Sequence, residues 1–148
     1  MSVDEAGDFL IPAASHLLTA ELIVKHQGER AFNGQMSASF FLLVGNSLEL
    51  TLKAAFVCLG GTTTLARNKL GHRLDLALEA VLEAGYPHYD EDLCVLVDNL
   101  AGPHKRHYFR YLGGEGKFIL PAPDYAISVI RRHITNVGQM ISPQFFKT

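Results

Sequence analysis

Ser37-Ala-Ser-Phe-Phe-Leu-Leu-Val-Gly-Asn46-Ser-Leu-Glu49-Leu-Thr-Leu-Lys53-Ala-Ala-Phe-Val-Cys-Leu59 is the longest apolar segment of the chain. It is as long as the roughly 20 residues that cross a bilayer. Asn46, Ser47, Glu49, Thr51 and Lys53 interrupt it, however. Glu49 and Lys53 stand at i,i+4, in the order that favours an ion pair along a helix. Buried charges are costly unless they are paired. The segment therefore reads as the central buried helix of a soluble bundle, and no membrane partner is expected.

The rest of the chain fits that reading. Its 148 residues (16.3 kDa) are the size of one domain spanning 1–148. It is 48% hydrophobic and 19% charged, against about 25% charged in an average soluble domain, so general disorder is excluded. A net charge of −2 excludes an overall polycation built to coat nucleic acid. The charge is uneven: residues 1–92 carry a net of −6 and residues 93–148 a net of +4. Such halves can attract one another across a subunit boundary, or the basic half can face an anionic ligand, or both are plain solvated faces. Cys58 and Cys94 sit in apolar runs and are too few for a zinc cage or a disulfide framework. The acidic N-terminus is unlike a secretory signal. A reducing, cytoplasmic setting is expected.

Breakers and periodicity give five helices. Pro12 suits a helix's first turn, and that helix runs past Leu17, Leu18 and Leu22 to Gly28. The second starts at a Ser37 or Ser39 cap and stops at Gly60-Gly61. Residues 62–71 read as a loop. Leu74, Ala77, Leu78, Val81 and Leu82 form one apolar stripe of a third helix. Asp90-Glu91-Asp92 opens a fourth, with Leu93, Leu96, Val97 and Leu100 inward, until Gly102-Pro103 breaks or bends it. A fifth starts near Pro123 or Asp124, with Ile127, Ile130, Ile134, Val137 and Ile141 as its stripe. Only Phe118-Ile119-Leu120 has strand character. The fold class is an all-α, single-domain, up-and-down bundle of four to five helices.

Four stretches carry chemistry. His104-Lys105-Arg106-His107-Tyr108-Phe109-Arg110-Tyr111 interleaves cations with rings, which suits phosphate contact and base stacking; it also suits a helix C-terminus with its rings in the core. His104 and His107 have the spacing of a metal pair, but zinc needs three or four ligands and no carboxylate stands at matching spacing, so no metal or other cofactor is expected. Gly113-Gly-Glu-Gly-Lys117 lacks the spacing and hydroxyl of a phosphate loop. In Arg67-Asn-Lys-Leu-Gly-His72, the histidine opens the third helix with Asp75 one turn on, where a carboxylate can fix an imidazole tautomer. No nucleophile elbow is present, so acyl transfer is unsupported.

Three pieces in this order resemble the HEPN superfamily of small helical domains: Asn46-Ser-Leu-Glu49-Leu-Thr-Leu-Lys53-Ala, Leu70-Gly-His72-Arg-Leu-Asp75-Leu and Phe109-Arg110-Tyr111. The likeness covers roughly residues 37–140. It implies a helical bundle that dimerises, and a place among the RNA- or nucleotide-binding proteins and helpers of toxin–antitoxin and defence systems. The family's ribonucleases work without metal through an Arg-x4–6-His motif. Here Asn99-Leu-Ala-Gly-Pro-His104 has that spacing with Asn in place of Arg, and the true match is Arg67-x4-His72. The basic aromatic stretch and the resemblance together lead us to expect RNA or nucleotide binding by Lys105, Arg106, Arg110, Tyr111 and Arg67, with His72 in the site, and no efficient cleavage. His72, His104 and Arg110 are the candidate catalytic groups if the chain does cut RNA, with an imidazole as base and Arg110 on the developing phosphorane charge. Glu49, Lys53 and Asp75 would form a structural polar network, holding Arg110 or one another. The alternative function is a non-enzymatic, antitoxin-like helper dimer that docks a partner protein encoded nearby.

Overall fold

The computed structural model describes residues 3–28, 36–105 and 120–142. All regular structure among these residues is helical. Among the described residues there are six α-helices: α1 (Val3–Gln27), α2 (Ser37–Cys58), the short α3 (Thr63–Leu65), α4 (Leu74–Glu83), α5 (Glu91–Lys105) and α6 (Pro123–Ile141). A π-helical turn, Ala66–Leu70, separates α3 from α4.

The central position of α2 follows from its sequence. Phe40, Phe41, Val44, Leu48, Leu52, Ala54, Ala55 and Val57 are all buried, on more than one side of the helix. It packs on α1, α4, α5 and α6. Each fully buried Leu or Phe contributes about 1.5–3 kcal/mol relative to exposure. Ser47 lets α1 come close, donating its hydroxyl to the Ala13 carbonyl at 2.8 Å. By length and composition α1 and α2 could each cross a membrane. In α2 that apolar character is spent on the core, since 72% of the segment is buried; in α1 the share is 39%.

The expected stripes of the later helices face inward. Leu93, Leu96, Val97 and Leu100 of α5 are buried, as are Ile127, Ile130, Ile134, Val137 and Ile141 of α6. In α4 the stripe holds through Val81, but Leu82 is exposed.

Several boundaries differ from expectation. Pro12 lies well inside α1. It forfeits one backbone bond, and the burial of Ala6, Phe9, Leu10, Ala13, Leu17 and Ala20 along one face offsets that loss. No serine side chain caps α2; Met36 is its N-cap. Gly102 and Pro103 remain inside α5, which runs on to Lys105. Residues 62–71 are not a plain loop: Thr62 Oγ1 accepts the Leu65 amide at 3.1 Å and starts α3. Of Phe118-Ile119-Leu120, only Leu120 is described, and it is not in a strand.

Candidate functional site

The site grows from one carboxylate. Glu49 lies mid-way along α2, where its neighbours Leu48, Thr51 and Leu52 are buried. Its own side chain is only 8% exposed. Lys53, one turn on, reaches Glu49 Oε2 at 3.1 Å. The other oxygen, Oε1, accepts two more bonds: from His72 Nδ1 at 2.9 Å and from His104 Nε2 at 2.8 Å. Carboxylates only accept, so both imidazole nitrogens facing Glu49 carry protons.

Burial alone would raise the Glu49 pKa. The hydrogen bonds from His104 and His72, followed by the Lys53 charge, outweigh it and hold the group at about 2. The carboxylate is therefore ionised across the working range. Among the described residues, no buried side-chain nitrogen or oxygen lacks a partner.

Three elements deliver the three side chains. Glu49 comes from the middle of α2. His72 follows the π-helical turn and Gly71, whose φ of +51° is the left-handed conformation glycine adopts without strain. Turns of π type are frequent at functional sites. His104 is in the last turn of α5, which the helix reaches because Gly102-Pro103 does not end it. The imidazoles stand edge to face, with ring centroids 6.2 Å apart.

The two histidines differ in access. His104 is buried, 5% exposed. A Cβ added to Gly45 would lie 2.5 Å from its Nδ1, so the ring is wedged against the backbone of α2. The His72 side chain is 52% exposed. The cluster thus has an inner imidazole that is fixed and an outer one that reaches solvent, both oriented by one carboxylate. That is a base-plus-orienter arrangement.

The other candidate residues are placed as follows. Asp75 does not hold His72; it forms a two-point ion pair with Arg73, at 2.9 and 2.6 Å. Both partners are substantially exposed. Nor does Asp75 bond Glu49 or Lys53: two ionised carboxylates offer each other no proton, and Lys53 is paired with Glu49. Arg67 is exposed, its guanidinium 5.6 Å from the Phe9 ring centroid on α1. Lys105 is exposed, directly after His104. Arg106, His107, Arg110, Tyr111 and the Gly113–Lys117 stretch lie outside the described residues.

The sequence did not reveal the meeting of Glu49 with His104. No carboxylate stands at helical spacing from His104 along the chain; it comes from a helix 55 positions earlier. A second polar cluster also went unforeseen. Tyr86, buried, donates its hydroxyl to His133 Nδ1 at 2.6 Å, and His133 Nε2 donates to Asp90 Oδ2 at 3.1 Å. Asp90 also caps α5 through the Leu93 amide at 2.8 Å. Arg132 bridges Asp90 and Asp92. The available signal was His133 itself, three residues after Ile130 on the buried stripe of α6. This cluster ties the α4–α5 connection to α6.

Comparison with protein-family models, curated proteins and solved structures finds no match to this chain.

Proposed function

We propose that the chain is a HEPN-like, cytoplasmic, homodimeric protein of a toxin–antitoxin or defence-type system that binds RNA or a nucleotide where His72 reaches solvent. One observation carries the reading. The Glu49 and His72 pieces of the resemblance, far apart in sequence, meet through a 2.9 Å hydrogen bond, and His104, at the start of the basic aromatic stretch, joins them at 2.8 Å. Exposed Lys105 follows His104 immediately. An exposed ammonium next in the chain to a cluster imidazole suits contact with a phosphate oxygen.

Binding is favoured over efficient cleavage by the unequal burial of the two histidines. Phosphodiester cleavage needs both a base and an acid within reach of the substrate. Here one imidazole reaches solvent while the other is wedged on Gly45. If the chain does cut RNA, His72 is the base and Glu49 its orienting partner.

The test is fluorescence anisotropy with a labelled single-stranded RNA and with a labelled nucleotide, in chelator, at two salt concentrations. The expected result is saturable, salt-sensitive binding, weakened at least tenfold in a His72→Ala, Lys105→Ala double variant. Unchanged affinity in that variant overturns the reading.

A helper that docks a partner protein is the second reading, and a specific observation favours it. Ile11, Leu18 and Leu22 are 60%, 61% and 53% exposed on α1. They share an outward face at helical spacing, which is an apolar strip of the kind that marks an interface.

A further inference from the structure

The cluster around Glu49 has the donor set of a transition-metal site. We propose that Glu49, His72 and His104 together bind one divalent ion of the zinc class. This uses the residues of the proposed RNA or nucleotide site, but it stands whether or not either ligand binds there.

Geometry carries the inference. One ligand atom from each of the three residues lies within 4.8 Å of the other two. The separations from Glu49 Oε1 are 2.9 Å to His72 Nδ1 and 2.8 Å to His104 Nε2. In a tetrahedral zinc site with bonds of about 2.0–2.1 Å, neighbouring ligand atoms lie about 3.3 Å apart. Opening the two short separations by about half an ångström therefore makes room for the ion. Because His104 is wedged, the shift falls to the Glu49 carboxylate, which moves off His104, and to the half-exposed His72 ring. The ion takes the electron pair of each coordinating nitrogen, and the proton each imidazole now directs at Glu49 moves to its other ring nitrogen.

The surroundings favour such a site. His104 is wedged by Gly45, so one ligand is held rigid. Lys53 holds Oε2 and leaves Oε1 for the ion; ligating carboxylates are commonly hydrogen-bonded in this manner. Three protein ligands with one side toward solvent is the pattern of zinc sites that keep an open coordination position. That position lies beside His72, where water or a phosphate oxygen can enter. Two imidazoles and one carboxylate select zinc, cobalt or nickel over magnesium or calcium, which require more oxygen ligands.

The experiment is isothermal titration of the untagged full chain with ZnCl2, and separately with CoCl2 read by visible absorption. The expected result is one ion per chain with a tetrahedral cobalt spectrum, and no heat with MgCl2. His72→Ala should weaken zinc at least tenfold while its circular dichroism without metal stays that of the parent. Absence of saturable binding of both ions overturns the proposal. So does a His72→Ala variant that binds zinc as tightly as the parent, since the ion then sits elsewhere. RNA and nucleotide binding are measured in chelator, so either proposal can fail without the other.

Discussion

Glu49 and His104, 55 positions apart in the chain, are joined by a 2.8 Å hydrogen bond from the imidazole Nε2 to the carboxylate Oε1. This bond ties the middle of α2 to the last turn of α5. It also converts a costly buried charge into the organiser of a site. Lys53 alone would neutralise Glu49, but it occupies only one oxygen. The second oxygen is left to recruit His104 and His72.

That division predicts unequal costs for removing the two charges. Glu49→Leu strands a buried lysine and two imidazole N–H groups. Removing one partner of a buried pair costs about 3–5 kcal/mol. Lys53→Met leaves Glu49 with both imidazole donors and removes one charged hydrogen bond, a loss of about 1.5–3 kcal/mol. Urea denaturation should rank Glu49→Leu as clearly the more damaging. Equal losses would mean that the histidines do not hold the carboxylate.

Gly45→Ala tests the wedge. In an ordinary helix interior this change gains about 1 kcal/mol. Here the new Cβ would lie 2.5 Å from His104 Nδ1. The ring cannot swing away without breaking its bond to Glu49, and overpacking of this kind costs about 1–3 kcal/mol. The net effect is a loss of stability, read as a lower urea midpoint. A gain would show that His104 is free to move.

The His133 cluster predicts a pH slope. Burial lowers the His133 pKa from 6.5; Arg132 and His88 also lower it, while Asp90 raises it without prevailing. Tyr86 donates to its Nδ1, which stabilises the neutral ring. The unfolded chain binds a proton below about pH 6.5 that the folded chain refuses, so this stability is full above that pH and declines as pH falls. One such group contributes up to about 1.4 kcal/mol per pH unit. Urea midpoints between pH 7 and pH 5.5 should fall more steeply for the parent than for His133→Gln. Identical slopes would remove His133 as the cause.

The helices were legible because their apolar stripes repeat at helical spacing. Leu93, Leu96, Val97 and Leu100, and the five residues from Ile127 to Ile141, needed nothing beyond that period. Interruption of the α2 segment by Glu49 and Lys53 correctly marked a charged pair in a buried helix. The expected five helices became six in the described residues because the Thr62 cap starts a single short turn, α3, where composition reads as loop. Pro12 misled as a helix start, and Gly102 and Pro103 as breakers, since tertiary burial overrides local propensity. His72 and His104 were visible as candidates. Their common partner was not, because a contact between α2 and α5 leaves no mark in local spacing. Asp75 was the nearer carboxylate to His72 in sequence, but Arg73 takes it.

RNA or a nucleotide is proposed to bind at the imidazole that Glu49 holds and that reaches solvent. The most direct measurement is nuclear magnetic resonance of the histidine side chains, with single-stranded RNA and then a nucleotide added in chelator. The account predicts that His72, and through the shared carboxylate His104, shift with saturation, while His133, held between Tyr86 and Asp90, does not. Saturable binding that leaves His72 and His104 unmoved would contradict it.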